Sequence, residues 1–416
     1  MDCSVSDVIV LGGGLAGLRC AVNLAGRGAE VTVLEARDRV GGRVWSHRFA
    51  DGQVAERGAE FIDGHHTEVL ALAAELGLTV TSHAVEFDAA ATLVDAGGRP
   101  VPMHLHSSVV DDLARWHAAV RAVDLAGADA ERRTLADLMH DLAMPVMSRL
   151  VVGRLVRTEF MLPPDEVSQR FAALKAAHPR PEPHVRHRVV GGNDRLAHGL
   201  AAGLGARLRL GTPVAAIDAE RGEVRLAAGE VLAAKAIVAA VPLPVLSRMW
   251  PEMPLELGAL GYGVGGKLSV QFQRRLWRDY GRNGTVLSDR QWGHLWEATE
   301  DQPGDRGVLT NLLASHDGAA FAALPEAGDV VLREVERVFP GAKGLVGERV
   351  LADWTNDPWA LGTAVCAGPG QWAAAWPLLH RRHGRLWLAG EHASEFPASM
   401  EGALRSGASV AAAVLA

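Results

Sequence analysis

Lysine is scarce in this chain: Lys175, Lys235, Lys267 and Lys343 stand against 38 arginines in 416 residues. Surface cations are therefore nearly all guanidinium, and each lysine merits separate attention. Positive charge is also short overall, because a net charge of −7 leaves no basic field to hold a phosphate backbone. Nucleic acid is excluded as a partner class. The three cysteines, Cys3, Cys20 and Cys366, are odd in number, far apart and without metal-site spacing, which argues against a disulfide framework or a metal centre and for a reducing compartment. No window reaches about 18 uninterrupted apolar residues, and the start has no basic segment, apolar core or cleavage site of a secretory signal. The expectation is a soluble, cytoplasmic protein with no membrane partner.

What the chain does have begins at once. Val8 to Leu11 form a short apolar run suited to a buried parallel strand, and Gly12, Gly14 and Gly17 follow in G-x-G-x-x-G spacing. Each glycine has a physical reason: a tight turn at Gly12, close approach of a pyrophosphate at Gly14, and close packing of helix on strand at Gly17. The helix that opens with Leu15 and Ala16 offers free N–H groups and a partial positive charge. Val31, Val33 and Leu34 make the next strand, and Glu35 lies 18 residues beyond Gly17, near the spacing at which a carboxylate meets a ribose hydroxyl. The unit is expected to hold a dinucleotide.

Directly after Glu35 come Ala36, Arg37, Gly41, Gly42 and Arg43, in the run E-A-R-x-R-x-G-G-R. This run resembles that of the FAD-dependent amine oxidase superfamily, which includes monoamine, polyamine and L-amino acid oxidases. The resemblance implies an α/β fold: a Rossmann-like FAD-binding domain of the GR2 type, with a discontinuous substrate domain of antiparallel sheet and helices. It places Glu35 on the adenosine ribose and Arg43 on the pyrophosphate. Two further patches extend it. Gly58, Ala59, Glu60 and Phe61, in RGAEFIDGHH, would run beside the isoalloxazine. Gly390 and Glu391, in RLWLAGEHASEFPASMEGA, would contact FAD, and the helix start at Met400, Glu401, Gly402 and Ala403 would face flavin N1 and the C2 carbonyl. Val214 would lie on the adenine side, although an apolar strand residue is more often plain core.

Read along the chain, residues 66–78 form an amphipathic helix, 108–160 are mostly helical with a break near Pro145, and prolines at 163, 164, 179, 181 and 183 mark loops. Between Gly265 and Ala314 the pattern changes to alternating strands, expected as an antiparallel sheet with one face covered. The domain expectation is a FAD-binding part of residues 1–78, 188–245 and 350–416, and a substrate-binding part of residues 79–187 and 246–349.

Lys267 lies on one such strand, sharing a face with Ser269 and Gln271. Alone it would read as a solvated polar face. The segment G-G-K-L-S-V-Q-F resembles the family segment whose lysine holds a water against flavin N5, so Lys267 is the expected catalytic residue. His65 and His66 are expected to be loop or helix-start residues, with no triad or metal set nearby. One departure from the family matters. Its two aromatic cage positions fall near Ala364 and Ser399, which leaves the substrate pocket open for a larger or less amine-like substrate, or for Trp354 or Trp359 to stand in. Ser399 has the simpler reading of a helix cap. The tethering cysteine of monoamine oxidases would fall near Thr363, so FAD is expected to be non-covalent.

The resemblance implies removal of hydride from a carbon next to nitrogen, reoxidation of flavin by O2, and H2O2 as product. Its alternatives are an L-amino acid oxidase and a specialised oxidase or desaturase of secondary metabolism that acts on a bulky amine or amide. The partners implied are a small amine-type substrate and O2, and a homodimer is compatible with the chain.

Overall fold

The computed structural model describes residues 6–81, 83–84, 88–178 and 185–416. Cys3 and the prolines Pro179, Pro181 and Pro183 lie outside the described residues.

The opening glycine pattern folds as its physics requires. Strand β1 (Ser6–Leu11) runs into Gly12 at φ +98°, helix α1 (Leu15–Ala25) follows, and β2 (Val31–Leu34) pairs parallel with β1. A Cβ on Gly17 would lie 2.0 Å from the Gly12 carbonyl oxygen, and one on Gly407 would lie 2.2 Å from that of Ala16. Two glycines thus set how closely α1 packs on its strand and on the final helix, Met400–Val414. β1 and β2 belong to a seven-stranded sheet in which Val231–Ala239 pairs parallel with both β1 and Leu386–Leu388. Glu223–Leu226 and Val214–Asp218 extend the sheet antiparallel from Val231–Ala239.

A second seven-stranded sheet runs in the order Val346–Asp353, Gly265–Phe272, Gly307–Ala314, His294–Glu297, Val286–Ser288, Leu93–Asp95, Val101–Pro102. It is antiparallel except where Val286–Ser288 meets Leu93–Asp95. Its central strand differs from the one-face expectation. All eight residues of Gly265–Phe272 are buried, because helices Ser315–Ala322 and Ala327–Val338 cover the Leu268, Val270 and Phe272 side while the Lys267 side turns inward. Helices Ser107–Arg121, Val146–Phe160 and Gln169–Ala176 pack beyond the sheet, and Pro145 starts the second of them. The chain's return to the first sheet comes after Asp353 rather than at residue 350, since Val346–Asp353 is an edge strand of the second sheet.

No described helix is long and apolar enough to cross a membrane.

Candidate active site

A single cavity of about 1380 Å³ runs from the glycine turn after β1 to the second sheet. Its first end is built from backbone. Gly14 caps α1 with no side-chain acceptor, and a Cβ built on it meets nothing within 4 Å, so the helix start is open to the cavity. Glu35, 6% exposed, spans the turn: one carboxylate oxygen accepts the Gly13 N–H at 2.7 Å and the other the Arg37 N–H at 2.8 Å. Arg37 directs its guanidinium away, into a paired contact with Asp357 at 2.6 and 2.9 Å. Arg43 is held by the Thr363 carbonyl at 2.8 Å and by Glu391 at 3.0 Å. Glu391 in turn accepts the N–H groups of Val365 and Ala398, which ties the 363–365 and 390–398 loops to this wall. Behind them Tyr262 hydrogen-bonds to His392 at 3.1 Å, and burial pushes the His392 imidazole down to about 4 and the tyrosine hydroxyl up.

The middle of the cavity is a buried charge cluster. Glu60 accepts from Lys267 Nζ at 2.7 Å, from Arg188 Nη2 at 2.9 Å and from the Trp296 indole N–H at 3.1 Å. Burial alone would oppose its ionisation, but Lys267 and Arg188, with the hydrogen bonds, hold its pKa at about 2. Glu60 is therefore an anchor for three side chains from three separate segments. Arg188 also faces Asp301 at 3.6 Å and Glu300 at 3.8 Å.

Beyond the cluster the walls are side chains. Phe61 lies 6.2 Å from Trp296, with the guanidinium groups of Arg186 and Arg188 over its ring at 4.5 and 5.0 Å. Helices Ser107–Arg121 and Val146–Phe160 contribute Leu113, Trp116, Val156 and Phe160 to the far wall.

Of the residues singled out from sequence, the cavity is lined by Gly12, Gly14, Leu15, Ala16, Glu35, Ala36, Arg37, Gly42, Arg43, Gly58, Ala59, Glu60, Phe61, Val214, Lys267, Trp354, Ala364, Gly390, Glu391, Ser399, Met400 and Ala403. Gly17 and Glu401 are not on its wall. Gly17 is consumed by helix packing, as above. Glu401 is fully buried and accepts the backbone N–H groups of Glu68 and Val69 at 3.0 Å, so its side chain caps helix Thr67–Glu75 from outside. Ser399 has the simpler of its two roles: it accepts the Gly402 N–H at 2.9 Å and caps the last helix. Trp354 is pinned by its indole N–H on the Arg57 carbonyl and lies edge-on to Trp45.

His65 and His66 need one correction. Ligand atoms of Asp63, His65 and His66 gather within 4.8 Å of one another, so the expectation that nothing nearby could form a metal set does not hold. His66 Nδ1, however, accepts the Asp63 N–H at 3.1 Å, and burial lowers this ring to about 4. Its neutral form therefore carries the proton on Nε2, which is the wrong tautomer for ligation through that atom. Sequence reasoning missed Arg188, Trp296 and His294. The only signal for the last two was the alternation in GHLWEA, which puts His294 and Trp296 on one face of a strand.

A backbone-lined helix start facing a long groove, and a buried lysine where that groove meets a second sheet, define an oxidoreductase built around an extended dinucleotide. The flavin containing amine oxidoreductase family matches residues 15–415, and the chain belongs to it. It is 28% identical to the putrescine oxidase of Kocuria rosea, over 98% of this chain and 95% of that one. It is also 28% identical to the flavin-dependent L-tryptophan oxidase RebO of Lentzea aerocolonigenes, over 96% of each. A solved structure of putrescine oxidase bound to putrescine superposes with a TM-score of 0.84 at 22% identity, covering 99% of each chain. The cofactor is FAD, the enzyme oxidises an amine, and the glycine cradle at Gly14 with Glu35 and Arg43 has the chemistry to hold the dinucleotide.

Proposed function

We propose that this protein oxidises an amine presented beside Lys267, with O2 as electron acceptor and an imine and H2O2 as products. The observation that carries this reading is Lys267 itself, one of four lysines, buried on the cavity wall at the junction of the two sheets and 2.7 Å from Glu60. FAD, when bound, takes the hydride from the carbon next to nitrogen and passes the electrons to O2. The chain's own part is placement and electrostatics. Gly14 and the start of α1 would receive the pyrophosphate, Glu35 the ribose, and Arg43 would offset phosphate charge. Met400 and Ala403, at the start of the last helix, line the cavity, so that helix start would offer its partial positive charge to a flavin that becomes anionic on reduction. Lys267, held by Glu60 at 2.7 Å, would position a water beside the flavin and so assist its reoxidation.

The surrounding groups suit a neutral amine. The Glu60 charge is taken up by Lys267 and Arg188, and the nearby imidazoles of His66 and His294 stay neutral because burial lowers them to about 4 and about 3. FAD is held without a covalent bond: Cys366 packs in the core instead of on the cavity wall. We assign residues 1–78, 188–245 and those after Asp353 to the FAD-binding part and the remainder to the substrate-binding part, and we infer a cytoplasmic location from the cysteine usage. An L-amino acid is the second reading, favoured by Arg186, whose guanidinium lines the cavity above Phe61.

The experiment is anaerobic mixing of the yellow holoenzyme with amines, L-amino acids and bulky amides while the visible absorbance of flavin is followed. Bleaching by an amine supports the reading. Bleaching by L-amino acids alone transfers it to the second.

A further inference from the structure

The floor of the cavity beyond Lys267 is a row of side chains across the second sheet. Lys267 pairs with Leu312, and Leu312 with His294 on its other side, so the three stand side by side on one face and all line the cavity. Leu287, the partner of His294 on the next strand, continues the row. Two strand spacings separate Lys267 from His294, about 10 Å.

The orientation of the His294 ring is fixed from behind. Thr158 donates its hydroxyl proton to the Arg154 carbonyl at 3.0 Å, so in its 3.1 Å contact with His294 Nδ1 the hydroxyl oxygen accepts. Nδ1 then carries the ring proton, and Nε2 presents a lone pair. The one hydrogen bond of the ring among the described residues is through Nδ1, which leaves Nε2 for a ligand, and the residue lines the cavity. Burial and the charges of Arg154 and Arg186 keep this imidazole neutral, lowered to about 3. Aromatic surface surrounds it: Trp296 lies 5.2 Å away, and Phe61 lies 6.2 Å from Trp296.

We propose that His294 is a specificity-determining residue whose Nε2 accepts a hydrogen bond from a neutral donor, a ring N–H or a hydroxyl, at the end of the substrate remote from the oxidised carbon. The substrate class is an amine separated from that donor by about one aromatic ring, which the Trp296 and Phe61 faces accommodate. A second ammonium is disfavoured there, because Arg154 and Arg186 both act on the ring and the carboxylate that acts on it, Glu60, is already engaged by Lys267 and Arg188. This rests on the reading that oxidation occurs beside Lys267.

The test uses the holoenzyme and two matched pairs of ligands. The first pair is 2-(4-hydroxyphenyl)ethylamine and 2-phenylethylamine, read as kcat and KM; the second is the corresponding two alcohols, which lack the amine, read by calorimetric binding. In wild type the hydroxyl is expected to improve both KM and the alcohol affinity by roughly tenfold, the worth of one neutral hydrogen bond. His294→Leu should bring both ratios to about one, and His294→Gln, which keeps an acceptor, should restore part of them. Thr158→Val, which leaves the cavity wall in place but frees the ring, should lower the ratios without abolishing them. Equal behaviour of the pair in wild type, retention of the preference in His294→Leu, or a stronger preference for a diamine of the same reach would overturn the proposal. The two readouts separate the subsite from the reaction. Discrimination among the alcohols without oxidation of either amine keeps the subsite and rejects the amine reading; oxidation of both amines without discrimination does the reverse.

Discussion

The two ends of the cavity are made of different material. The cofactor end is backbone and glycine, drawn from short runs of sequence: Gly12 to Ala16, Glu35 to Arg43, Gly390 to Ala403. The substrate end is side chains, and its central cluster joins Glu60, Arg188, Lys267 and Trp296 from four separate segments. On the proposed reading the first end receives a cofactor whose shape is fixed, so local geometry suffices. On the same reading the second is tuned to a substrate, and its contacts are carried by side chains that the fold brings together from distant segments.

The contrast predicts different failures. At the cofactor end a single methyl group should be decisive. Gly17→Val places a Cβ 2.0 Å from the Gly12 carbonyl oxygen, and is expected to destabilise the protein by about 3 kcal/mol and to strip it of flavin, read by denaturant melts and by the visible spectrum. A variant that keeps its yellow colour and its melting midpoint would break the distinction.

At the substrate end a charge should matter more than shape. Glu60→Gln leaves Lys267 and Arg188 buried without their common partner, a loss of about 3 kcal/mol, while flavin should remain bound. The pH dependence sharpens this. The folded pKa of Glu60, about 2, lies below its ordinary 4.5, so its contribution is complete above pH 4.5 and is lost as pH falls toward 2. Buried His66, His392 and His294 act over a wider range: they are lowered from 6.5 to about 4, about 4 and about 3, so the unfolded chain binds the extra protons and stability falls as pH drops from 6.5 toward 3. Buried Glu56, raised to about 7, opposes part of that loss, because the folded chain takes up its proton first. Thermal melts across pH should therefore show wild type losing stability below pH 6.5. Glu60→Gln should remove only the share lost below pH 4.5.

Legibility in the sequence followed the same divide. The turn after β1 and the packing role of Gly17 were readable because each depends on residues near in sequence, whereas the Arg43–Glu391 pair, 348 residues apart, was not. Glu401 was readable as a helix-start residue, but not as the cap of a different helix, since Thr67–Glu75 lies more than 300 residues away. The Lys267 strand read as half-exposed because alternation reports two unlike faces and cannot report that the polar face is covered too. Glu60 read as a ring contact, and only the fold brings Arg188 and Lys267 to it from opposite directions. The small side chain at Ala364 was readable as an absence; that His294 and Trp296 line the same cavity was not.

The account turns on Lys267 acting in reoxidation, and stopped-flow separation of the two half-reactions tests it most directly. Lys267→Met is expected to leave anaerobic reduction of flavin by the amine within a few-fold of wild type and to slow reoxidation by O2 roughly a hundredfold, the cost of removing one preorganised electrostatic group. Equal slowing of both half-reactions, or reoxidation at the wild-type rate, would contradict it.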